Sequence, residues 1–173
     1  MKMCLPTVLH SQVHPEHLNE TQQKLLELSG LFKHLELLLP GIIERYAAPY
    51  GLTVLAFRAL SEAELLGGRA TLTAIGERIM APPSSMTGVA ARLEQAGFVE
   101  RHPSPSDRRS AILEPTPEGT QVLATIHQEM MAHMNEALGD ISTDDLDVVI
   151  RTFNSVIRGL AQLLGDDSSE VTV

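Results

Sequence analysis

The chain has 173 residues, one Cys, no Trp and only 3% aromatic residues, with 43% hydrophobic and 20% charged side chains. One Cys excludes a disulfide framework and a Cys-cluster zinc site, and the scarcity of aromatic residues favours helices built on Leu, Ile, Val, Met and Ala over a β-sandwich. The formal net charge is −9, which argues against a non-specific polyanion binder. The charge is unevenly spread, however. Residues 51–116 carry seven Arg and seven acidic groups, whereas residues 117–173 carry two basic and ten acidic ones. A neutral, Arg-bearing middle can face phosphate while the acidic last third faces away.

Residues 1–18 contain two Pro and three His without periodicity and read as an arm. His10, His14 and His17 are interrupted by Pro15, and Cys4 has no cationic neighbour but Lys2 to activate it, so neither metal binding nor oxidant sensing is favoured there. No signal-peptide core follows Met1, and no run approaches a membrane span; a cytoplasmic protein is expected. From Asn19, Leu25, Leu28, Phe32, Leu35 and Leu39 fall on one helical stripe. Pro40 leaves two readings open, one kinked helix or two abutting ones, before Pro49-Tyr50-Gly51 ends the segment.

A second helix follows Thr53, a third starts at Thr71, and a fourth runs from about Pro82 to Ala96, with Met86, Val89, Ala90 and Leu93 inward and Gly97 as a left-handed cap. Phe98–Arg101 and Ala111–Glu114 read as a hairpin around a polar, turn-rich loop. Two further helices follow, the first with Val122, Ile126, Met130 and Met134, the second opened by Ser142 and carrying Leu146, Val149 or Ile150, Phe153, Ile157, Leu160 and Leu164. The fold expected is therefore mainly α with a small β-hairpin wing: a winged helix-turn-helix plus a helical dimerisation region. The expected divisions are an arm (1–18), a dimerisation helix (19–50), the winged domain (51–116), C-terminal dimerisation helices (117–165) and an acidic tail (166–173). The terminal stripes exceed what a small winged domain can cover, and a symmetric homodimer is the simplest use for them.

Between Gly51 and Leu123 the chain resembles the MarR family of winged-helix transcription regulators. The resemblance rests on Gly51-Leu52-Thr53, Phe57-Arg58, Leu72-Thr73, Ile75-Gly76-Glu77-Arg78-Ile79, Ser84-Ser85 and Thr87, Arg92-Leu93-Glu94, Gly97-Phe98-Val99-Glu100-Arg101, Pro105-Ser106-Asp107-Arg108-Arg109 and Thr116-Pro117-Glu118-Gly119. It implies a dimeric regulator of transcription on a palindromic operator in double-stranded DNA, a repressor released by a small molecule. The fourth helix is then the recognition helix. Its hydroxyls at Ser84, Ser85 and Thr87 can reach bases or phosphates, and Arg92 and Arg101 can reach phosphates. Ser84 and Ser85 could instead simply cap that helix. Where the family often has a long polar residue, positions 83 and 88 here are Pro and Gly, and neither supplies the paired donors of strong guanine readout. In the wing, the resemblance makes Arg109 the minor-groove reader, flanked by Arg108 and buttressed by Asp107.

Many members of that family bind small phenolic or aromatic anions. The corresponding region here offers Phe32, His34, Tyr46, Tyr50, Phe57, Arg58 and His127. No phosphate loop, nucleophile elbow or metalloprotease pair is found, so neither an enzyme nor a cofactor is expected. The competing reading is a winged-helix protein-interaction module that has lost DNA binding, favoured by the sparse recognition helix and the negative charge.

Overall fold

The computed structural model describes residues 18–104 and 111–163. Cys4, His10, His14, His17, the wing residues Asp107, Arg108 and Arg109, and the acidic tail lie outside them. The described residues fall into two compact units that meet between Ala124 and Thr125.

In the first unit, helix α1 spans Glu20–Ala47. Asn19 caps it reciprocally with Gln22: the Asn19 side chain accepts from the Gln22 amide at 2.9 Å, and Gln22 Oε1 accepts from the Asn19 amide at 3.0 Å. Of the two readings left open at Pro40, one continuous helix is found, with Pro40 inside it. A 3-10 turn, Ala48–Tyr50, ends at Gly51, whose φ of 72° is the left-handed conformation glycine adopts at no steric cost. Leu25, Leu35 and Leu39 on α1 are exposed, while Leu28 and Phe32 are half-buried.

Helix α2, Val54–Leu65, begins where Thr53 Oγ1 accepts from the Ala56 amide, and it supplies Ala56, Phe57, Ala59, Leu60 and Ala63 to the core. A two-residue strand β1, Ala70–Thr71, leads into helix α3, Leu72–Arg78, capped by Thr71 Oγ1 on the Ala74 amide. Helix α4 spans Pro83–Gln95. Strands β2, Val99–Pro103, and β3, Ala111–Pro115, complete an antiparallel sheet in the order β1-β3-β2. The register pairs Glu100 with Glu114 and Arg101 with Leu113 on one side of β3, and Ala70 with Leu113 on the other. The sequence reading has no β1 and ends β2 two residues early. Pro103 can close β2 because that strand is an edge, where a missing N–H leaves no ladder position empty. Leu60, Ile75, Met86, Leu93 and Leu113 are fully buried and weld α2, α3, α4 and the sheet into one core.

Helix α5, Pro117–Ala137, starts in the first unit and ends in the second. Helix α6, Thr143–Leu163, follows Ser142, whose Oγ accepts from the Asp145 amide at 3.1 Å. Leu146, Val149, Ile150 and Leu160 of α6 are exposed. Among the described residues, no helix is long and apolar enough to cross a membrane.

Candidate nucleic-acid interface

The site is built by α3, the turn after it, α4 and the hairpin. Gly76 lets α3 lie tightly on α4: a Cβ there would sit 3.1 Å from Met86 Cγ and 3.4 Å from the Ala81 carbonyl oxygen. The chain then reverses through Ile79–Pro82. The Ala81 amide donates to the Gly76 carbonyl at 2.8 Å, and Met80 takes φ +53°, the one described non-glycine residue with positive φ. That conformation brings Cβ towards the following carbonyl oxygen and costs an ordinary residue about 1–2 kcal/mol. Met80 is 89% exposed.

Pro82, extended at ψ 143°, is the N-cap of α4, and Pro83 is its first residue, where a missing N–H leaves nothing unpaired. No side chain caps the helix, so the capping role open to Ser84 and Ser85 is not taken: both lie inside the first turn, Ser84 exposed and Ser85 half-buried. Met86, Val89, Ala90 and Leu93 face the core; Ser84, Thr87, Gly88, Ala91 and Arg92 face out. The helix ends in a double bond pattern, Gly97 N–H to Glu94 carbonyl and Phe98 N–H to Leu93 carbonyl, made possible by Gly97 at φ 79°. This turn leads directly into β2, which packs against α4.

The described part of the chain thus brings Ser84, Ser85, Thr87 and Arg92 onto one helix. Arg92 is exposed, with Nε donating to the Gly88 carbonyl at 3.3 Å. Arg101, at the base of the wing, lies 3.6 Å from Glu94 and is partly buried. On the same hairpin His102 Nε2 lies 3.5 Å from Glu100 and 3.6 Å from Glu114, and Arg69 is 3.4 Å from Glu114. Arg78 pairs with Glu62, joining α3 to α2. A groove of about 760 Å³ separates α3 and α4 from the base of the wing, with Leu72, Met80, Met86 and Thr87 on one side and Arg101 and His102 on the other. Sequence reasoning missed Met80 and this groove. The signal for Met80 was its place in the four-residue turn between two helices, Ile79–Pro82, where tight reversal favours a left-handed residue.

The ligand candidates are placed differently. Phe57 is 6% exposed and belongs to the core. Phe32, Tyr46 and Tyr50 are half-buried, and Arg58 is exposed on α2. His34 is exposed, its Nδ1 2.9 Å from the Gly30 carbonyl oxygen, and the Arg45 guanidinium stands 5.9 Å from the centre of the Tyr46 ring. His127 is exposed on the part of α5 that belongs to the second unit.

Comparison with known proteins agrees with this architecture. The model of the MarR family matches residues 52–111, from the residue before the Thr53 cap to the first residue of β3. The uncharacterized HTH-type transcriptional regulator YfiV of Bacillus subtilis is 29% identical over 98 residues, 56% of this chain; the match spans 61% of that relative's length. The crystal structure of the transcriptional regulator BldR from Sulfolobus solfataricus superimposes with a TM-score of 0.66 at 23% identity, covering 82% of this chain and 99% of that one. CouR from Rhodococcus jostii RHA1, solved bound to p-coumaroyl-CoA, superimposes with a TM-score of 0.63 at 22% identity, covering 78% and 91%.

Proposed function

We propose that this chain, whose residues 52–111 match the MarR family model, is a homodimeric, sequence-specific DNA-binding regulator of transcription, a repressor that leaves its operator when a small aromatic molecule binds. The observation that carries the DNA-binding part is α4 itself. Thirteen residues long, it follows a tight turn, buries one face and presents Ser84, Thr87, Gly88 and Arg92 on the other, with a hairpin at its side. A helix so presented fits the major groove, which is wide enough to admit one. On this reading Ser84, Ser85 and Thr87 meet bases and phosphates, Arg92 meets phosphate, and the wing carries Arg109 into the minor groove with Arg108 beside it and Asp107 in support.

The dimer is supported by apolar surface that a monomer leaves wet. Leu25, Leu35 and Leu39 on α1 and, in the second unit, Val149, Ile150 and Leu160 on α6 are each at least 40% exposed, and large apolar side chains left exposed along a helix are what an interface would cover. Residues 19–50 and 117–165 are therefore assigned to dimerisation, and 51–116 to DNA. Release by a ligand draws on CouR, whose structure holds an aromatic acyl-CoA. In this chain Phe32, His34, Tyr46, Phe57 and Arg58 in the first unit are the candidates to contact such a molecule, and His127 is a separate candidate in the second.

The protein-interaction reading has one observation in its favour: the outward face of the first turns of α4 has no long hydrogen-bonding side chain. Selection of duplexes from random sequence by the purified protein separates the two. A regulator enriches a palindrome; an interaction module enriches nothing.

A further inference from the structure

The chemistry of the α4 surface narrows what that helix can read. From Ile79 to Ala91 the chain has no charged residue and no side-chain amide. What it exposes there is Met80, Pro82, Pro83, Ser84, Thr87, Gly88 and Ala91, that is, methylene and methyl groups, two hydroxyls and bare backbone. The first long donor, Arg92, lies nine residues beyond Pro83, roughly 14 Å along the axis at the rise of an α-helix, and its Nε is turned back onto the Gly88 carbonyl.

In the major groove, guanine is singled out by two acceptors that want an Arg or Lys, and adenine by a donor–acceptor pair that wants Asn or Gln. Cytosine offers a lone amino donor that wants a carboxylate. Thymine alone presents a methyl group, which wants an apolar contact. Serine and threonine hydroxyls pair with any of these edges and discriminate little. The leading half of α4 lacks the groups for guanine, adenine and cytosine and has those for thymine.

Gly88 points the same way. It sits mid-helix, where glycine is unfavourable relative to alanine, yet a Cβ there would meet nothing nearer than Arg92 Nη2 at 3.9 Å. Packing within the chain does not require it. A glycine on the outward face does allow close approach of a surface from outside, with Thr87 beside it.

We infer that this helix reads its half-site through thymine methyl groups, with Thr87 and Pro83 as the contacting residues and Gly88 as the point of closest approach, so that operator specificity in the major groove is thymine-led. This rests on the DNA-binding reading above. The test uses the full-length protein and the palindrome it selects. Each thymine of one half-site is replaced in turn by deoxyuridine, which removes only the methyl group. One or two of the replacements should each weaken binding about fourfold, the worth of one buried methyl group, and any one of these made in both half-sites at once should weaken it about 15-fold. Thr87→Ser, which keeps the hydroxyl, should abolish the sensitivity at one of those thymines, and Gly88→Ala should weaken binding while leaving the unfolding midpoint unchanged or higher. A palindrome bound equally well with uridine at every thymine, or one whose contacted half-site bases include no thymine, overturns the inference and leaves the regulator reading intact. Failure to enrich any palindrome overturns the regulator reading and this inference with it.

Discussion

Gly119, in the first turn of α5, lies against the Phe98 carbonyl, so close that an added Cβ would also sit 2.9 Å from the carbonyl carbon and 3.1 Å from the Cα of Phe98. Around this contact Thr116 acts twice: its Oγ1 donates to the Gly97 carbonyl at 2.6 Å and accepts from the Gly119 amide at 3.0 Å, while the Thr116 amide donates to the Phe98 carbonyl at 3.0 Å. One threonine thus caps α5 and holds it against the turn that leaves α4. That is the physical content of Thr116-Pro117-Glu118-Gly119. Backbone atoms cannot rotate away as a side chain can, so Gly119→Ala should destabilise the fold by about 2–3 kcal/mol, the upper range for overpacking. Urea unfolding followed by circular dichroism checks this; a change below about 0.5 kcal/mol, the size of an ordinary surface substitution, would show that the two helices are free to part.

Met80 makes the opposite prediction. Its left-handed backbone is unfavourable, and its side chain is nearly all in solvent, so folding gains little from it. Met80→Gly should raise stability by about 1 kcal/mol, the strain relieved less the extra chain entropy of glycine. An unchanged or lower unfolding midpoint would mean that Met80 packs on something in the folded protein.

Much of this was legible in the sequence. Thr53 and Thr71 announce helix starts and Gly97 a helix end because caps are local: the residue type supplies a bond or a dihedral within four positions. The inward face of α4 follows from helical spacing alone. The elements that escaped are those whose cause lies elsewhere in the chain. Strand β1 is two residues long and exists because Leu113 and Ile112 of β3 offer it a partner. At Pro40 the sequence leaves one kinked helix or two abutting ones open, and the choice of one continuous helix is settled only by the structure. The capping alternative open to Ser84 and Ser85 falls away because Pro82 already holds the extended conformation a cap needs. The site was legible as a helix and a wing, while the groove between them required the sheet to be placed.

The dimer prediction rests on α1 and α6. A charge placed in an apolar seam is costly to desolvate, so Val149→Asp, at a residue 47% exposed in the single chain, should leave the winged unit folded and shift the protein to monomer. Sedimentation velocity at micromolar concentration reads this directly. A wild-type chain that sediments as a monomer contradicts the assignment of these helices to dimerisation.

The wing prediction concerns Arg109. A loop-tip arginine that enters the minor groove contributes to binding and not to folding. Arg109→Ala should therefore cost on the order of 1–3 kcal/mol of DNA affinity with an unchanged unfolding midpoint. Asp107→Ala should weaken binding through the same arginine, so that the double variant loses less than the sum of the two. Wild-type affinity of both variants across a salt titration would remove the wing from the interface.

Sequence-specific binding by a dimer is tested most directly by the affinity of the full-length protein for its selected site against that site cut to one half. Two recognition helices related by a two-fold axis require half-sites about one helical turn, roughly 10 bp, apart. The expected result is tight binding to the palindrome, binding weaker by at least about tenfold to the half-site, and affinity that falls steeply as salt rises, because phosphate contacts release counterions. Equal affinity for the palindrome, the half-site and random duplex would contradict it.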